Sequence, residues 1–292
     1  MTAWSPTDGD AWAMADAVRG GRVSAVELLD AHLERIARVD PAVGAVWLVT
    51  EERARAEAAA VDAAVARGRD PGPLAGVPVG WKDLIDTAGI VTTYGSALYR
   101  DHVPARDADV VARLAGAGAV TVAKLSLHEL AWGTTNDNPH FGRCRNPYDL
   151  ERVPGGSSGG SAAALATGMV ALAPGTDTGG SIRCPASCCG VVGLKPTYGR
   201  VSLAGVRPLC HSFDHVGPMA RSVRDCALAL TVVAGPSARD PRTSAVPVER
   251  YADALDCGVS GMTVGVAERF FFEHTADDVA APVRRCVEAL AA

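Results

Sequence analysis

Two serine-bearing glycine loops and one lysine carry the chemistry that can be read from this 292-residue sequence. The first loop, Val153-Pro-Gly-Gly-Ser-Ser-Gly-Gly-Ser161, runs directly into the small apolar segment 162–166. A flexible linker would be followed by a change of composition. Here the glycines lie between packed elements, and a loop at a helix start presents amides and hydroxyls to whatever sits there. Gly155-x-Ser157-x-Gly159 also has the form of a nucleophile elbow, which needs a strand immediately before the serine and an acid and a histidine downstream. Residues 151–154 make a poor strand, and no local pattern supports Asp214 with His274 as those partners. A phosphate-binding P-loop is excluded, because no Lys-Ser/Thr pair follows the glycines.

The second loop is Gly175-Thr-Asp-Thr-Gly-Gly-Ser-Ile-Arg183. Its two central glycines let the backbone bend so that successive amides point one way. The amides of Thr178, Gly179, Gly180 and Ser181 could then form an oxyanion hole beside the Ser181 hydroxyl. An ordinary glycine turn leading into a helix is the plainer alternative. The third element, Gly76-Val-Pro-Val-Gly-Trp-Lys-Asp-Leu-Ile-Asp86, places Lys82 at the end of an apolar strand. Such a lysine either snorkels to the surface or, if buried, loses its proton and acts as a base.

Together these elements resemble the amidase signature family. The matching text is residues 76–86, 155–163 and 175–197, continuing through 193–202 to Phe213-Asp-His-Val-Gly-Pro218. Ser181 follows Ser157 by 24 residues, the spacing that family uses between its two serines. The resemblance runs from about residue 24 to 235 and implies a Ser–cis-Ser–Lys triad. Ser181 is then the nucleophile, Ser157 the cis-serine bridge and Lys82 the base. The implied reaction cleaves the C–N bond of a linear carboxamide through an acyl-enzyme, releasing ammonia or an amine, with no metal or organic cofactor. Asp177 and Arg183 are expected to brace the nucleophile loop, Ser158 and Ser161 to satisfy nearby backbone, and Trp81 to belong to the core.

The family also includes the glutaminase component of glutamyl-tRNA amidotransferases, which frees ammonia from glutamine for a partner protein. That branch commonly carries Asn and Asp where this chain has Ser126 and His128, which favours a stand-alone amidase. A catalytically silent family member or binding protein is the reading from another class. The expected partner is a small amide substrate, with no direct nucleic-acid contact; a homodimer is compatible with the sequence.

The elements that must position these residues follow from patterning. Ser24-Ala-Val-Glu27 is a capping box opening a helix whose apolar face is Leu29, Leu33 and Ile36, with Asp40-Pro41 expected to stop it. A short strand is expected at 45–50 and a solvated helix at 51–67. After the break at 69–73, strands are expected at 77–81 and 120–123, with a helix at 108–114 between them. A helix at 159–167, an apolar run at 170–173, a segment at 182–188 and a helix at 222–233 continue the alternation. A strand at 262–267 and a helix near 278–291 end it. This strand–helix alternation implies an α/β fold, with a mixed sheet covered by helices on both faces.

The organisation expected is an N-terminal helical segment (1–70), a catalytic core (71–235) and a terminal loop, strand and helix (236–292). Because the last helix has no strand after it and family members are usually much longer, the sequence is expected to lack a C-terminal part. Val283, Val287 and Leu290 would pack inward on an open sheet edge, favouring association.

Composition narrows the rest. A net charge of −5 lacks the basic surplus that phosphate-backbone binding needs. The longest apolar stretch, 162–173, is too short to span a bilayer and includes Thr167 and Gly168. Asp8 and Asp10 stand where a secretory signal would carry positive charge, so a cytoplasmic location is expected. The eight cysteines match no metal or secreted-disulfide spacing and read as reduced, mostly buried side chains. A zinc site at Cys184, Cys188 and Cys189 lacks a second ligand pair.

Overall fold

The computed structural model describes residues 7–291 and divides them into two compact units, Met1–Ala252 and Asp253–Ala292. In chain order the first unit contains α1 (Ala11–Arg19), α2 (Ala25–Val43), β1 (Val46–Val49), α3 (Glu51–Ala66), β2 (Pro78–Lys82), α4 (Asp109–Gly116) and β3 (Val120–Leu125). After β3 come the short strands β4 (Asp137–Asn138) and β5 (Gly142–Arg143), α5 (Gly159–Ala166), β6 (Gly175–Asp177) and α6 (Arg183–Cys188). Strands β7 (Val192–Gly193), β8 (His215–Gly217) and β9 (Met219–Ala220) then lead to α7 (Val223–Val233). The second unit holds α8 (Glu268–Phe271) and α9 (Asp277–Ala291).

The sheet is mixed. β2 and β3 run parallel, with Trp81 beside Lys124 and Lys82 beside Leu125, while β1 pairs antiparallel with β3. The 170–173 run forms no strand of its own. It contributes single bridges, Val79 to Leu172 and Leu172 to Ala220, that carry the sheet on to the β9–β7 pair. Helices α2, α3 and α5 pack on it. α5 is built almost wholly from glycine, alanine and serine, and its residues Gly159–Leu165 are all buried. A helix apolar on every side belongs in an interior.

The N-terminal helices are tied down by distant carboxylates. Asp225 of α7 accepts the Ala11 and Trp12 amides at 2.9 Å, and Asp62 of α3 accepts the Ala25 amide at 2.6 Å. The Ser24–Glu27 capping box forms as the spacing implies, a motif worth about 1 kcal/mol. Pro41 does not stop α2, which continues to Val43. A proline in the last turn removes a single amide, and the stop comes from Gly44, whose φ of 70° suits glycine. α3 is solvated on one side only. Its Ala54, Ala58 and Val61 are buried, and Glu57 accepts the Thr121 amide of β3 at 2.6 Å.

The boundary between units falls after Ala252 rather than near 235, because the loop in between is anchored to the first unit. Arg200 donates to the Val246 and Pro247 carbonyls and to Tyr251 Oη, and buried Asp240 accepts the Leu203 amide at 2.7 Å. In the second unit the expected strand at 262–267 does not form. Met262, Val264 and Val266 are exposed, and an apolar run without a neighbouring edge has no ladder to join. α9 forms, but Val283 and Leu290 are exposed and Val287 is half-buried; Ala280 is its buried residue. No helix among the described residues is long and apolar enough to cross a membrane.

Candidate active site

Lys82 closes β2 and is completely buried. Its Nζ donates to Ser157 Oγ and Thr176 Oγ1, each at 2.7 Å, and to Ser158 Oγ at 3.0 Å. Three hydroxyls surround the amine, and it forms no ion pair among the described residues. Burial therefore lowers Lys82 to about 7, against the longer-range pull of Asp177 and Asp214. An amine with that proton affinity is about half neutral near pH 7, and its neutral form can take a proton from a hydroxyl.

Ser157 is held by backbone. The Gly156–Ser157 peptide is cis, and the Ser157 carbonyl accepts the His128 amide at 3.2 Å. The first turn of α5 is seated on the end of β3. The Gly159 amide donates to Asn136 Oδ1, the Gly160 amide to the Ser126 carbonyl, and Asn136 Nδ2 to Ser126 Oγ. A Cβ on Gly160 would lie 2.4 Å from the Ser126 carbonyl oxygen, so this approach requires glycine. Residues 151–156, immediately before Ser157, form no strand, which removes the support an elbow needs.

The loop that carries Ser181 leaves β6, which pairs antiparallel with β8, and turns into α6. Asp177, with no exposed side-chain surface, is its pin. Its carboxylate accepts the Gly180 amide at 2.8 Å, the Ile182 amide at 3.2 Å, and Arg183 Nε and Nη2 at 3.0 Å each. Burial alone would raise Asp177; the Arg183 fork and the two amides outweigh it and hold the carboxyl below its ordinary value. A second brace joins Thr178 Oγ1 to Asp214 Oδ1 at 2.6 Å, and Asp214 also accepts the Leu209 and Cys210 amides. Asp214 is thereby engaged as a strut rather than poised beside a histidine.

The two serine loops touch where the Ser158 amide donates to the Ser181 carbonyl at 3.2 Å. Ser181 is partly exposed, and its hydroxyl and amide, like the Gly179 amide, form no hydrogen bond among the described residues. A Cβ at Gly179 or Gly180 would meet nothing within 4 Å. The loop thus faces open space with two free amides.

Several expectations need correction. The Gly180 amide is bound to Asp177 and is not aimed outward with its neighbours. Ser158 does more than satisfy backbone, since its hydroxyl oxygen accepts hydrogen bonds from Lys82 Nζ and from the Thr176 amide. The buried Ser161 hydroxyl has no partner among the described residues. Trp81 is core, with Nε1 on Thr121 Oγ1 at 3.3 Å. Of the eight cysteines, only Cys144, Cys189 and Cys226 are buried; Cys188, Cys257 and Cys286 are exposed. Thr176 and Asn136 were missed. Thr176 stood inside the glycine loop text, but only the fold aims it at Lys82.

The Amidase family model matches residues 27–292. The A-type component of the glutamyl-tRNA(Gln) amidotransferase of Roseiflexus castenholzii is 49% identical over 270 residues, covering 92% of this chain and 55% of that protein. The chain therefore spans about half the length of such curated relatives. Among solved structures, a vestigial protein complex bearing on the origins of an s-triazine catabolic enzyme superposes with a TM-score of 0.95 at 42% identity, covering 97% of this chain and 62% of that one. The native peptide amidase of Stenotrophomonas maltophilia superposes with a TM-score of 0.81 at 41% identity, over 85% of this chain and 53% of that one. A matched model across most of the sequence, and close relatives along nearly all of it, lead to one conclusion: the chain belongs to the Amidase family.

Proposed function

We propose that this chain cleaves a carboxamide C–N bond through an acyl-enzyme on Ser181, with Ser157 and Lys82 relaying the proton. The observation that carries this reading is Lys82 itself, buried without an ion-pair partner among the described residues, lowered to about 7, and 2.7 Å from Ser157 Oγ. Neutral Lys82 takes a proton from Ser157, and Ser157 takes one from Ser181 as the Ser181 oxygen bonds to the amide carbon. The carbonyl pair moves onto oxygen, where the free Gly179 and Ser181 amides receive it, with the Thr178 amide adjoining. Collapse expels the nitrogen, which regains the relayed proton and leaves as ammonia or an amine. Water then attacks the acyl carbon and releases the carboxylate.

The curated relatives favour the side-chain amide of glutamine as substrate, with ammonia delivered to a partner protein, over the stand-alone amidase expected from the sequence. Ser126 and His128, together with the likeness to a peptide amidase, support the stand-alone reading as the second one. Ammonia release from L-glutamine, silent in Ser181→Ala, is the expected result. Turnover of peptide C-terminal amides with none of glutamine would favour the second reading, and turnover of neither would sink both.

A further inference from the structure

Arg207 is exposed, and its guanidinium forms no ion pair or hydrogen bond among the described residues. It is nevertheless held in place. Its Cζ lies 5.1 Å from the Tyr99 ring centroid and 5.8 Å from that of Tyr94, and those rings meet edge to face. Tyr94 is fixed in turn by its hydroxyl, 2.7 Å from Asp86 Oδ1 and 2.9 Å from His102 Nε2. Cation–π contact with two rings restrains the guanidinium while leaving its N–H donors without a hydrogen-bond partner among the described residues, an arrangement that suits capture of a carboxylate.

The segment bearing Arg207 is fastened to the candidate active site at both ends. The Arg207 amide donates to the Leu84 carbonyl, two residues beyond Lys82. At the far end Asp214 holds Thr178, three residues before Ser181. Between them Val206 and Leu209 pack on a small apolar cluster of Leu84, Tyr94, Leu127 and Ala131. Leu127 immediately precedes His128, whose amide binds the Ser157 carbonyl. Arg207 thus lies past the carboxyl ends of the parallel strands β2 and β3, the end where open α/β sheets receive ligands.

We infer that Arg207 is a specificity residue that receives a carboxylate on the substrate, so that the preferred substrate is an amide bearing a second, anionic group. This rests on the amide-cleaving reading above and narrows it to amides that carry a carboxylate, of which glutamine is one. The test compares L-glutamine with butanamide, a neutral amide of similar reach, in the intact chain and in Arg207→Gln and Arg207→Lys. Loss of one charged hydrogen-bonded contact should lower kcat/KM for glutamine by about 10- to 100-fold in Arg207→Gln. Arg207→Lys should recover part of that loss, and butanamide should be unaffected. An equal loss on butanamide, or none on glutamine, overturns the assignment. Calorimetric titration of L-glutamate reads the same contact without turnover. Affinity removed by Arg207→Gln and partly kept by Arg207→Lys supports the inference even if no ammonia is released. Equal affinity in all three chains, or none, overturns it.

Discussion

Lys82 Nζ and Ser157 Oγ lie 2.7 Å apart in a fully buried setting where no carboxylate among the described residues pairs with the amine. The relationship sets a pH dependence. The proton-accepting form of Lys82 grows as pH rises through about 7, so acylation should increase with pH around that midpoint. A profile of kcat/KM against pH checks this; a midpoint near 10, where a solvated lysine titrates, would contradict it.

The same burial has a stability consequence of opposite benefit. The unfolded chain holds the Lys82 proton up to about 10.4, the folded chain only to about 7. Between those values the unfolded state binds more protons, so stability rises with pH, and the full penalty, on the order of 5 kcal/mol, applies below pH 7. Lys82→Met should therefore be inactive yet melt above the parent at pH 6, with the gap closing toward pH 10. Parallel melting curves at pH 6 and pH 9.5 make the comparison. A Met variant less stable at both values would show that the three hydroxyls need the amine more than burial opposes it.

The serines separate by what each replacement leaves behind. Ser181→Ala should abolish covalent labelling by a fluorophosphonate probe, with thermal stability changed by less than about 0.5 kcal/mol, because a partly exposed hydroxyl without a partner is lost. Ser157→Ala removes a buried hydroxyl from the Lys82 shell, so it should slow labelling and also cost about 1–3 kcal/mol. Label retained by Ser181→Ala and absent in Ser157→Ala would transfer the nucleophile to Ser157.

Much of this site was legible because glycine and serine text is local. The loops around Ser157 and Ser181 and the strand end at Lys82 are marked by residues whose backbone freedom or chemistry shows in a few letters. The strands at β2 and β3 and the helices α5 and α7 follow from apolar runs of the right length. What was hidden depends on tertiary direction. Nothing near Thr176 says that its hydroxyl meets an amine 94 residues away, or that Asp177 captures the Gly180 amide. Apolar residues at 262–267 have the composition of a strand, but a strand also needs a neighbouring edge, which sequence periodicity does not supply. Pro41 misled for a simpler reason: at the last turn of α2 the amide it lacks matters little, and Gly44 decides the end.

Asp177 should be the most sensitive position apart from Lys82, Ser157 and Ser181. Its replacement by Ala strips partners from Arg183 and from the Gly180 and Ile182 amides at once. Breaking a pair with one fully buried member costs about 3–5 kcal/mol, less here because the Arg183 side chain is 53% exposed. Turnover should fall by at least about 100-fold as the loop loses its shape, in line with the penalty for misplacing reacting groups. Asp177→Asn, which can still accept two bonds, should retain more stability than Ala. Equal stability and activity for the parent and both variants would show that the loop is shaped without its carboxylate.

Two glycines give opposite expectations for the same change to alanine. At Gly160 the added methyl would sit 2.4 Å from the Ser126 carbonyl oxygen and 2.6 Å from its Oγ, both fixed in the turn that follows β3. The first turn of α5 must then lift away, carrying Ser157 and Ser158 from Lys82. Gly160→Ala should cost about 1–3 kcal/mol as an overpacked core does, and should lower activity with it. At Gly179 the methyl meets nothing within 4 Å, so Gly179→Ala should melt with the parent. Its activity then reports on the space in front of the loop. A loss of turnover at unchanged stability would mean that the reacting amide approaches Gly179 closely, as an oxyanion held by the Gly179 and Ser181 amides requires. Full activity would place the developing charge elsewhere on the loop.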